Sequence, residues 1–350
     1  MVRVGIVVPG CYLGGVERWV SDLLDFCDPA RVEWVGIAVM ILPGEFPNLM
    51  DDWTEHCPVT EGWTAVGELA SKVDVLITVG VIDAYWGFPP SMLGLLIPEG
   101  VAVVIVSHGA VESDPRCDQS ILFQGVSASV GVSRCALRAL QPCRRENARI
   151  ILNCVSEARV ARSMTRSEMM ADWGLPPDAK VVGWLSRLSP EKAPERFIRG
   201  VAALPEGWHG VMAGPSYKAD FYRQIANTEA PGRITFLGPR FDVGDVLGGF
   251  DCLVMTSPSE ACSLTLAEGM LAGVPLLSTP VGLLQDYPHL ARLLPWNPSG
   301  RDIAEAVIAD LRDTRSALVR VDQAQDFASK RLSPSLFGHN WTELICDVRK

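Results

Sequence analysis

The sequence predicts an α/β protein made of two doubly wound halves, each a parallel sheet covered by helices on both faces. Short apolar runs alternate with amphipathic segments through most of the chain, which is the pattern of repeated strand–helix units. The alternation starts again near residue 160. A length of 350 residues also favours about two domains, because larger chains divide into separate cores. Such folds bind ligands at the carboxyl ends of their strands.

The predicted elements follow these two halves in order. In the first half we expect strands over residues 2–8, 32–42, 73–79, 101–106, 129–132 and 149–152, and helices over 16–26, 65–72 and 133–140. In the second half we expect strands over 180–185, 210–213, 234–237, 252–256 and 275–278, and helices over 164–173, 194–204, 219–227 and 263–272. A terminal helix over 336–348 is expected to cross back to the first half. The predicted domains are residues 1–158 with 335–350, and residues 159–334.

Composition and charge narrow the possible classes of function. Hydrophobic residues make up 48% and charged residues 21% of a chain with a formal net charge of -10. These values indicate a globular protein and make nucleic acid an unexpected partner, although a modified base as a target stays open. The ten cysteines show no C-x-x-C pair or zinc-type spacing, and we find no secretory leader or bilayer-length apolar run. We therefore expect reduced thiols, a cytoplasmic location and no integral membrane segment.

Residues 257–275 follow the predicted strand 252–256 and carry two carboxylates at defined places. Glu260 falls in the loop at the carboxyl end of the strand, and Glu268 falls in the second turn of the following helix. Ser263 can cap this helix, and Gly273 can end it. The backbone amides of a helix N-terminus favour a phosphate, while carboxylates accept hydrogen bonds from hydroxyls. A nucleotide sugar offers both groups.

Two cations follow the predicted strand 180–185. Arg187 and Lys192 project from the carboxyl edge of the sheet, where Lys192 is expected at the start of a helix. A fixed guanidinium and a mobile ammonium suit the two phosphates of a diphosphate. The alternative is a solvated pair balanced by Glu191.

Two features of the first half also lie at strand ends. Gly14 and Gly15 open the first predicted helix, where glycines let a backbone approach a ligand closely; the alternative is a plain tight turn. His108 follows Ser107 at the carboxyl end of the strand 101–106, where a histidine can face a ligand cleft. The alternative is an ordinary core histidine. No D-x-D triplet follows a strand, and no G-x-S-x-G elbow is present. We therefore predict no metal site, no cofactor and no serine nucleophile.

Taken together, these motifs resemble glycosyltransferase family four, the retaining nucleotide-sugar enzymes with the two-domain, Rossmann-like GT-B architecture. The resemblance covers nearly the whole chain. It rests on the glycine loop at Gly14 and Gly15, the Arg187 and Lys192 pair, the base loop Phe236-Leu237-Gly238, the paired glutamates Glu260 and Glu268, and His108.

The resemblance implies a role for each of these residues. Glu260 would contact hydroxyls of the transferred sugar and Glu268 the ribose, while His108 would lie beside the sugar. Amides at Ser263, Leu264 and Thr265 would hold the diphosphate together with Arg187 and Lys192, and Gly238 would lie near the base. The first domain would bind the acceptor and the second the donor. The family's chemistry needs no metal and is written as attack on the face from which the leaving group departs.

The chain departs from the family pattern at several positions. Ser186 replaces a glycine before the arginine, Ala261 and Ser263 replace glycines near the sugar, and the turns at 153–156 and 282–286 differ in sequence. The favoured function is hexosyl transfer from a nucleoside-diphosphate sugar, with a UDP-sugar as the favoured donor, to a hydroxyl-bearing acceptor. The alternatives are a nucleotide-sugar 2-epimerase and a non-catalytic sugar-nucleotide binder. Acceptor loops are expected around residues 82–86 and 109–118.

Overall fold

The computed structural model describes residues 1–11, 14–41, 49–79, 96–109, 126–140 and 147–349. The chain forms two compact units. The first contains Met1–Cys154 and Pro334–Lys350, and the second contains Val155–Ser333. The first unit thus ends four residues before the expected boundary at 158.

The first unit is built on a seven-stranded sheet in the order β3-β2-β1-β4-β5-β6-β7, and every pairing in it is parallel. Its strands are β1 Val2–Gly10, β2 Val32–Ile41, β3 Val59–Glu61, β4 Val75–Val79, β5 Ala102–Ser107, β6 Val126–Gly131 and β7 Ala148–Ile150. Its first helices are α1 Gly15–Phe26, α2 Met50–Thr54, α3 Trp63–Ala70 and α4 Arg134–Ala139. β3 and α2 were not expected from the sequence.

The second unit is built on a six-stranded parallel sheet in the order β10-β9-β8-β11-β12-β13. Its strands are β8 Lys180–Leu185, β9 Trp208–Ala213, β10 Ile234–Gly238, β11 Cys252–Met255, β12 Leu276–Ser278 and β13 Arg292–Leu293. Its helices are α5 Arg166–Asp172, α6 Pro194–Ala203, α7 Ala219–Glu229, α8 Val243–Gly248, α9 Leu264–Leu271, α10 Gly300–Arg312 and α11 Thr314–Arg331. The predicted α/β class with two parallel sheets is confirmed.

In both sheets the strand order changes direction at one place: the first three strands are added on one side, and the later strands on the other. The reversal lies between β1 and β4 in the first unit and between β8 and β11 in the second. Helices that follow the two central strands pass to opposite faces, which leaves a crevice at the carboxyl ends of those strands. The loops after β8 and β11 therefore meet at the place where a doubly wound sheet binds its ligand.

A core of large apolar side chains supports each sheet. In the second unit Trp184 of β8 and Phe197 of α6 are fully buried, with ring centroids 5.6 Å apart. In the first unit the terminal helix α12, Pro334–Val348, packs on α1, and Trp341 lies 5.4 Å from Trp19 between ring centroids. Helix α12 therefore completes the first unit, as the sequence predicted. Among the helices that the structure describes, none has the length and apolar character needed to cross a membrane.

One predicted element differs in a way that matters for the site. Lys192 was expected to begin a helix, but residues Pro190–Lys192 form a separate 3₁₀ turn. Ala193 then takes a left-handed conformation, with φ of 52°, before α6 begins at Pro194. Lys192 therefore lies in a short turn before α6 and is not part of that helix.

Candidate functional site

The loops after β8 and β11 are joined by a contact between two predicted site residues. Lys192 Nζ lies 2.6 Å from Glu260 Oε1, and the two side chains are 20% and 11% exposed. An ion pair with so little solvent around it interacts more strongly than a surface pair. The contact places a cation and a carboxylate side by side at the switch point of the second sheet.

Backbone strain at Ala193 helps to fix Lys192. Among the described residues, Ala193 is the only non-glycine with a positive φ, a conformation that costs about 1–2 kcal/mol for an L-residue. The hydroxyl of Thr256, at the end of β11, donates to the Ala193 carbonyl at 2.9 Å and contacts the Lys192 carbonyl at 3.3 Å. Thr256 is fully buried. The hydrogen bond from Thr256 thus stabilises the left-handed conformation of Ala193, the residue that follows Lys192.

Helix α9 begins as the sequence predicted. The Ser263 side chain accepts a hydrogen bond from Leu266 N, which confirms Ser263 as the N-cap. Thr265 Oγ1 donates to the carbonyl of Leu185, the last residue of β8, at 2.8 Å. The amides of Leu264 and Thr265 lie in the first helical turn, where N–H groups lack partners within the helix. The positive end of α9 is therefore fixed against the strand that leads to Arg187.

Glu268 lies in the second turn of α9 and is almost completely buried, with 3% of its surface exposed. Its carboxylate accepts a hydrogen bond through Oε1 from Nε of Arg159, which lies in the 3₁₀ turn Ala158–Val160. The sequence analysis did not find Arg159. No local pattern could have found it, because the two residues are 109 positions apart.

Arg187 is less enclosed than Lys192. Its side chain is 45% exposed, and its Nε lies 3.7 Å from Glu191 Oε1. The alternative of a solvated pair balanced by Glu191 therefore describes Arg187 in this structure, but Lys192 pairs with Glu260 instead. Arg187 remains on the same loop, five positions before Lys192.

Glycines bring three neighbouring loops together at the same sheet edge. Gly214, after β9, donates its N–H to the Gly238 carbonyl at the end of β10, at 2.7 Å. A Cβ at Gly214 would lie 1.9 Å from the Ser186 carbonyl oxygen, so only glycine fits there. Gly238 itself has a φ of 72°. The predicted base loop is thus packed beside the loop that carries Arg187.

A further glycine supports the loop that carries Glu260. Gly282 begins a 3₁₀ turn with φ of 55°, and a Cβ there would lie 2.5 Å from the Ala261 carbonyl oxygen. The backbone at 282 can therefore lie directly against the Glu260–Ala261 segment. The turn at 282–286 thus keeps this close approach although its sequence departs from the family pattern.

The predicted residues of the first unit form a different kind of arrangement. Gly14 caps α1 with extended backbone, and a Cβ there would lie 2.5 Å from Glu17 Oε2. His108 follows β5, and its ring packs edge-on against Trp19 of α1, with centroids 4.7 Å apart. His108 Nε2 is buried and has no hydrogen-bond partner among the residues that the structure describes, although the residue as a whole is only partly buried. Burial lowers the pKa of His108 to about 3, so the imidazole is neutral at physiological pH.

The structure therefore brings the predicted residues together in two groups. Lys192, Glu260 and the first turn of α9 form one, with Arg187 on an adjoining part of the loop, and His108 lies near α1 in the other. Among the described residues, no group of three or more His, Cys, Asp or Glu side chains could hold a metal ion. All eight cysteines of the described ranges are free thiols. The expected acceptor loops fall outside the described residues except for Gly109.

Comparison with family models gives one match, which lies in the second unit. Residues 165–317 match the family model for glycosyl transferases group 1. These residues are therefore similar to a glycosyl transferases group 1 domain. The match contains Arg187, Lys192, Glu260 and Glu268, so the family resemblance expected from the motifs is confirmed.

Curated relatives match over part of the chain. A D-inositol 3-phosphate glycosyltransferase of Mycobacterium marinum is 33% identical over 133 residues, which are 36% of this chain and 28% of that protein. The lipopolysaccharide core biosynthesis mannosyltransferase LpsB of Rhizobium meliloti is 26% identical over 147 residues, 39% of this chain and 42% of that protein. The matched part thus spans less than half the length of either relative.

The fold likeness extends over both units. A crystal structure of Anabaena HepE in complex with UDP and glucose has a TM-score of 0.81, and the match covers 99% of this chain and 100% of that chain. The sequence identity is 17%, so this likeness establishes the GT-B fold alone.

Proposed function

We propose that the protein is a retaining glycosyltransferase that moves a sugar from a nucleoside-diphosphate sugar, with a UDP-sugar as the donor, to a hydroxyl-bearing acceptor. The observation that carries this proposal is the contact between Lys192 and Glu260 beside the N-terminus of α9. A cation, backbone amides and a carboxylate in one place suit a diphosphate joined to a sugar, which supports the proposal. The complex of HepE with UDP and glucose supports the choice of donor.

The proposed chemistry follows from the charge that the donor develops. The bond from the anomeric carbon to the diphosphate oxygen breaks, and negative charge builds on the departing phosphate. Lys192 has three N–H donors, of which one meets Glu260, and the others can meet phosphate oxygens. Arg187 and the amides of Leu264 and Thr265 add to the same electrostatic stabilisation, which acts most in the transition state. The acceptor hydroxyl forms the new bond on the vacated face and gives its proton to the departing phosphate oxygen.

The proposal includes turnover without a metal ion, because the cation role belongs to Arg187 and Lys192. Release of UDP from UDP-sugars is measured in excess chelator, with and without a panel of sugar and polyol acceptors. We expect turnover to equal that of the untreated protein. A loss that magnesium or manganese restores would contradict metal independence. Inversion at the anomeric carbon, read by NMR of the product, would contradict retention.

Two measurements separate an enzyme from a binder. A donor that binds only the folded protein raises the unfolding midpoint, whether or not it reacts. A shifted midpoint with no UDP release under any acceptor condition would support the non-catalytic binder. If none of the nucleotide sugars changes the unfolding midpoint, the proposed donor site is wrong. We also propose a cytoplasmic location, supported by the eight free cysteines of the described residues.

A further inference from the structure

We infer that Arg159 is a positioning residue that makes the site select ribose over deoxyribose in the nucleotide. The inference rests on the proposed function, since it concerns the donor's nucleoside diphosphate. Neither the sequence motifs nor the family match assigns this residue, because Arg159 lies before the matched residues 165–317. The observation that carries it is the bond from Arg159 Nε to Glu268 Oε1.

The buried carboxylate of Glu268 has a charged partner. Its side chain is 4% exposed, and burying a carboxylate is costly unless it is paired and hydrogen-bonded. Among the described residues, Arg159 is the one cation in contact with it. The guanidinium therefore offsets the cost of burying this carboxylate, whose oxygens can accept hydrogen bonds from ribose hydroxyls.

The bond also fixes the direction of the carboxylate. Arg159 takes one acceptor site of Oε1, so Oε2 keeps its acceptor sites for the ribose hydroxyls. Because a guanidinium is planar and donates in a fixed geometry, it restricts rotation of the carboxylate group. A carboxylate held in one orientation loses little conformational freedom when the ribose binds.

Arg159 comes from a segment that is itself anchored to the second unit. Ser156 accepts from the Arg159 backbone N–H through both its carbonyl and its hydroxyl, at 3.1 and 3.3 Å. Arg162 donates to the carbonyl of Ala272, the C-cap of α9, at 3.3 Å. The backbone N–H groups of Ser163 and Met164 donate to the buried Asp245 carboxylate at 2.7 and 2.9 Å. The guanidinium is thus delivered to Glu268 from a fixed backbone.

The test compares UDP with 2′,3′-dideoxy-UDP by titration calorimetry. The wild-type protein should bind UDP roughly tenfold or more tightly, as expected for hydrogen bonds to a charged acceptor. Arg159→Gln should remove most of this preference, while the affinity for dideoxy-UDP changes by about twofold or less. Arg162→Gln is the matched control: it removes the same charge from the same segment without touching Glu268, and it should keep the preference.

Loss of affinity for both nucleotides alike in Arg159→Gln would indicate a structural role and overturn the inference, as would an unchanged preference. If Arg159→Gln does not fold, the double variant Arg159→Gln/Glu268→Gln replaces the pair with two neutral amides. It should match Glu268→Gln in its affinity for UDP, and a further loss would overturn the inference. A wild-type protein that binds neither nucleotide would overturn the proposed donor site itself, and the inference with it. Binding of UDP with no ribose preference would overturn only the inference.

Discussion

The two units share one strand order but differ in what they present at their strand ends. In the second unit the predicted residues Lys192 and Glu260 form an ion pair, and the predicted Glu268 pairs with Arg159, which the sequence did not predict. In the first unit the predicted residues are two glycines and His108, a neutral ring held against Trp19. Since the backbone topology is the same, the difference lies in the side chains that follow each strand.

This difference in side chains suits the two units to different kinds of ligand. Ions and hydrogen-bond acceptors suit a charged diphosphate and its ribose, whereas a neutral ring suits an uncharged sugar or acceptor. A doubly wound unit supplies the crevice in either case, and the residues after its central strands decide what binds.

The largest expected effect comes from removing the charged contact of the second unit. Lys192→Met keeps the length of the side chain but removes the ammonium, so the departing diphosphate loses a fixed cation. We expect the barrier to rise by about 2.7–4 kcal/mol, with a smaller change in the affinity for UDP-sugar. Steady-state kinetics give the split between kcat and KM. Lys330→Met, at an exposed pair with Asp326, is the control that should retain full turnover. Equal turnover in Lys192→Met and Lys330→Met would show that Lys192 takes no part in the chemistry.

Local features of this region could be predicted from the sequence. The sequence predicts Ser263 as an N-cap because this serine precedes an apolar helix-forming run, and it predicts that Gly273 ends the helix. The helix in the structure is Leu264–Leu271. The parallel sheets also follow from local alternation, since strand and helix periods differ. By contrast, α10 was not delimited, although the capping box of Ser299 and Asp302 marks its start.

Contacts between distant residues could not be predicted in this way. The Arg159 and Glu268 pair and the packing of Trp341 on Trp19 both join residues more than a hundred positions apart. No propensity or spacing rule relates such residues, because the tertiary fold alone brings them together. Ala193 is a related case: alanine carries no signal for the left-handed conformation, which Thr256, the residue after β11, stabilises.

The second prediction separates the two glutamates of the charged region. Glu268→Gln should weaken UDP and UDP-sugar alike by about 1.5–3 kcal/mol, because the ribose loses a charged acceptor. Glu260→Gln should leave UDP affinity nearly unchanged and lower sugar transfer, because its expected partner is the sugar. Titration calorimetry with UDP on both variants gives the comparison. Equal losses of UDP affinity would show that the assignment is wrong.

The third prediction concerns the neutral region of the first unit. In the unfolded chain His108 binds a proton below its ordinary pKa of about 6.5, whereas in the folded protein it stays neutral down to about 3. The unfolded state therefore binds more protons in this window, so stability falls as the pH is lowered. His108→Phe should reduce the loss of stability between pH 6.5 and 5 by about 1–2 kcal/mol. Denaturant unfolding at both pH values measures it, with His339→Gln at an exposed position as the control. Identical pH dependence in wild type and His108→Phe would mean that the ring titrates normally.

The smallest expected effect tests whether backbone strain at Ala193 helps to position Lys192. Ala193→Gly relieves a left-handed conformation that costs about 1–2 kcal/mol, but it loosens the unfolded chain by about 0.4–1 kcal/mol. We therefore expect a net gain in the free energy of unfolding of about 0.5–1 kcal/mol. Ala202→Gly, inside α6 with ordinary helical geometry, should instead lose about 1 kcal/mol. If strain at Ala193 positions the Lys192 ammonium, the more stable Ala193→Gly protein should also turn over more slowly. A stabilised variant with unchanged kcat would show that the Thr256 hydrogen bond alone is enough to place Lys192.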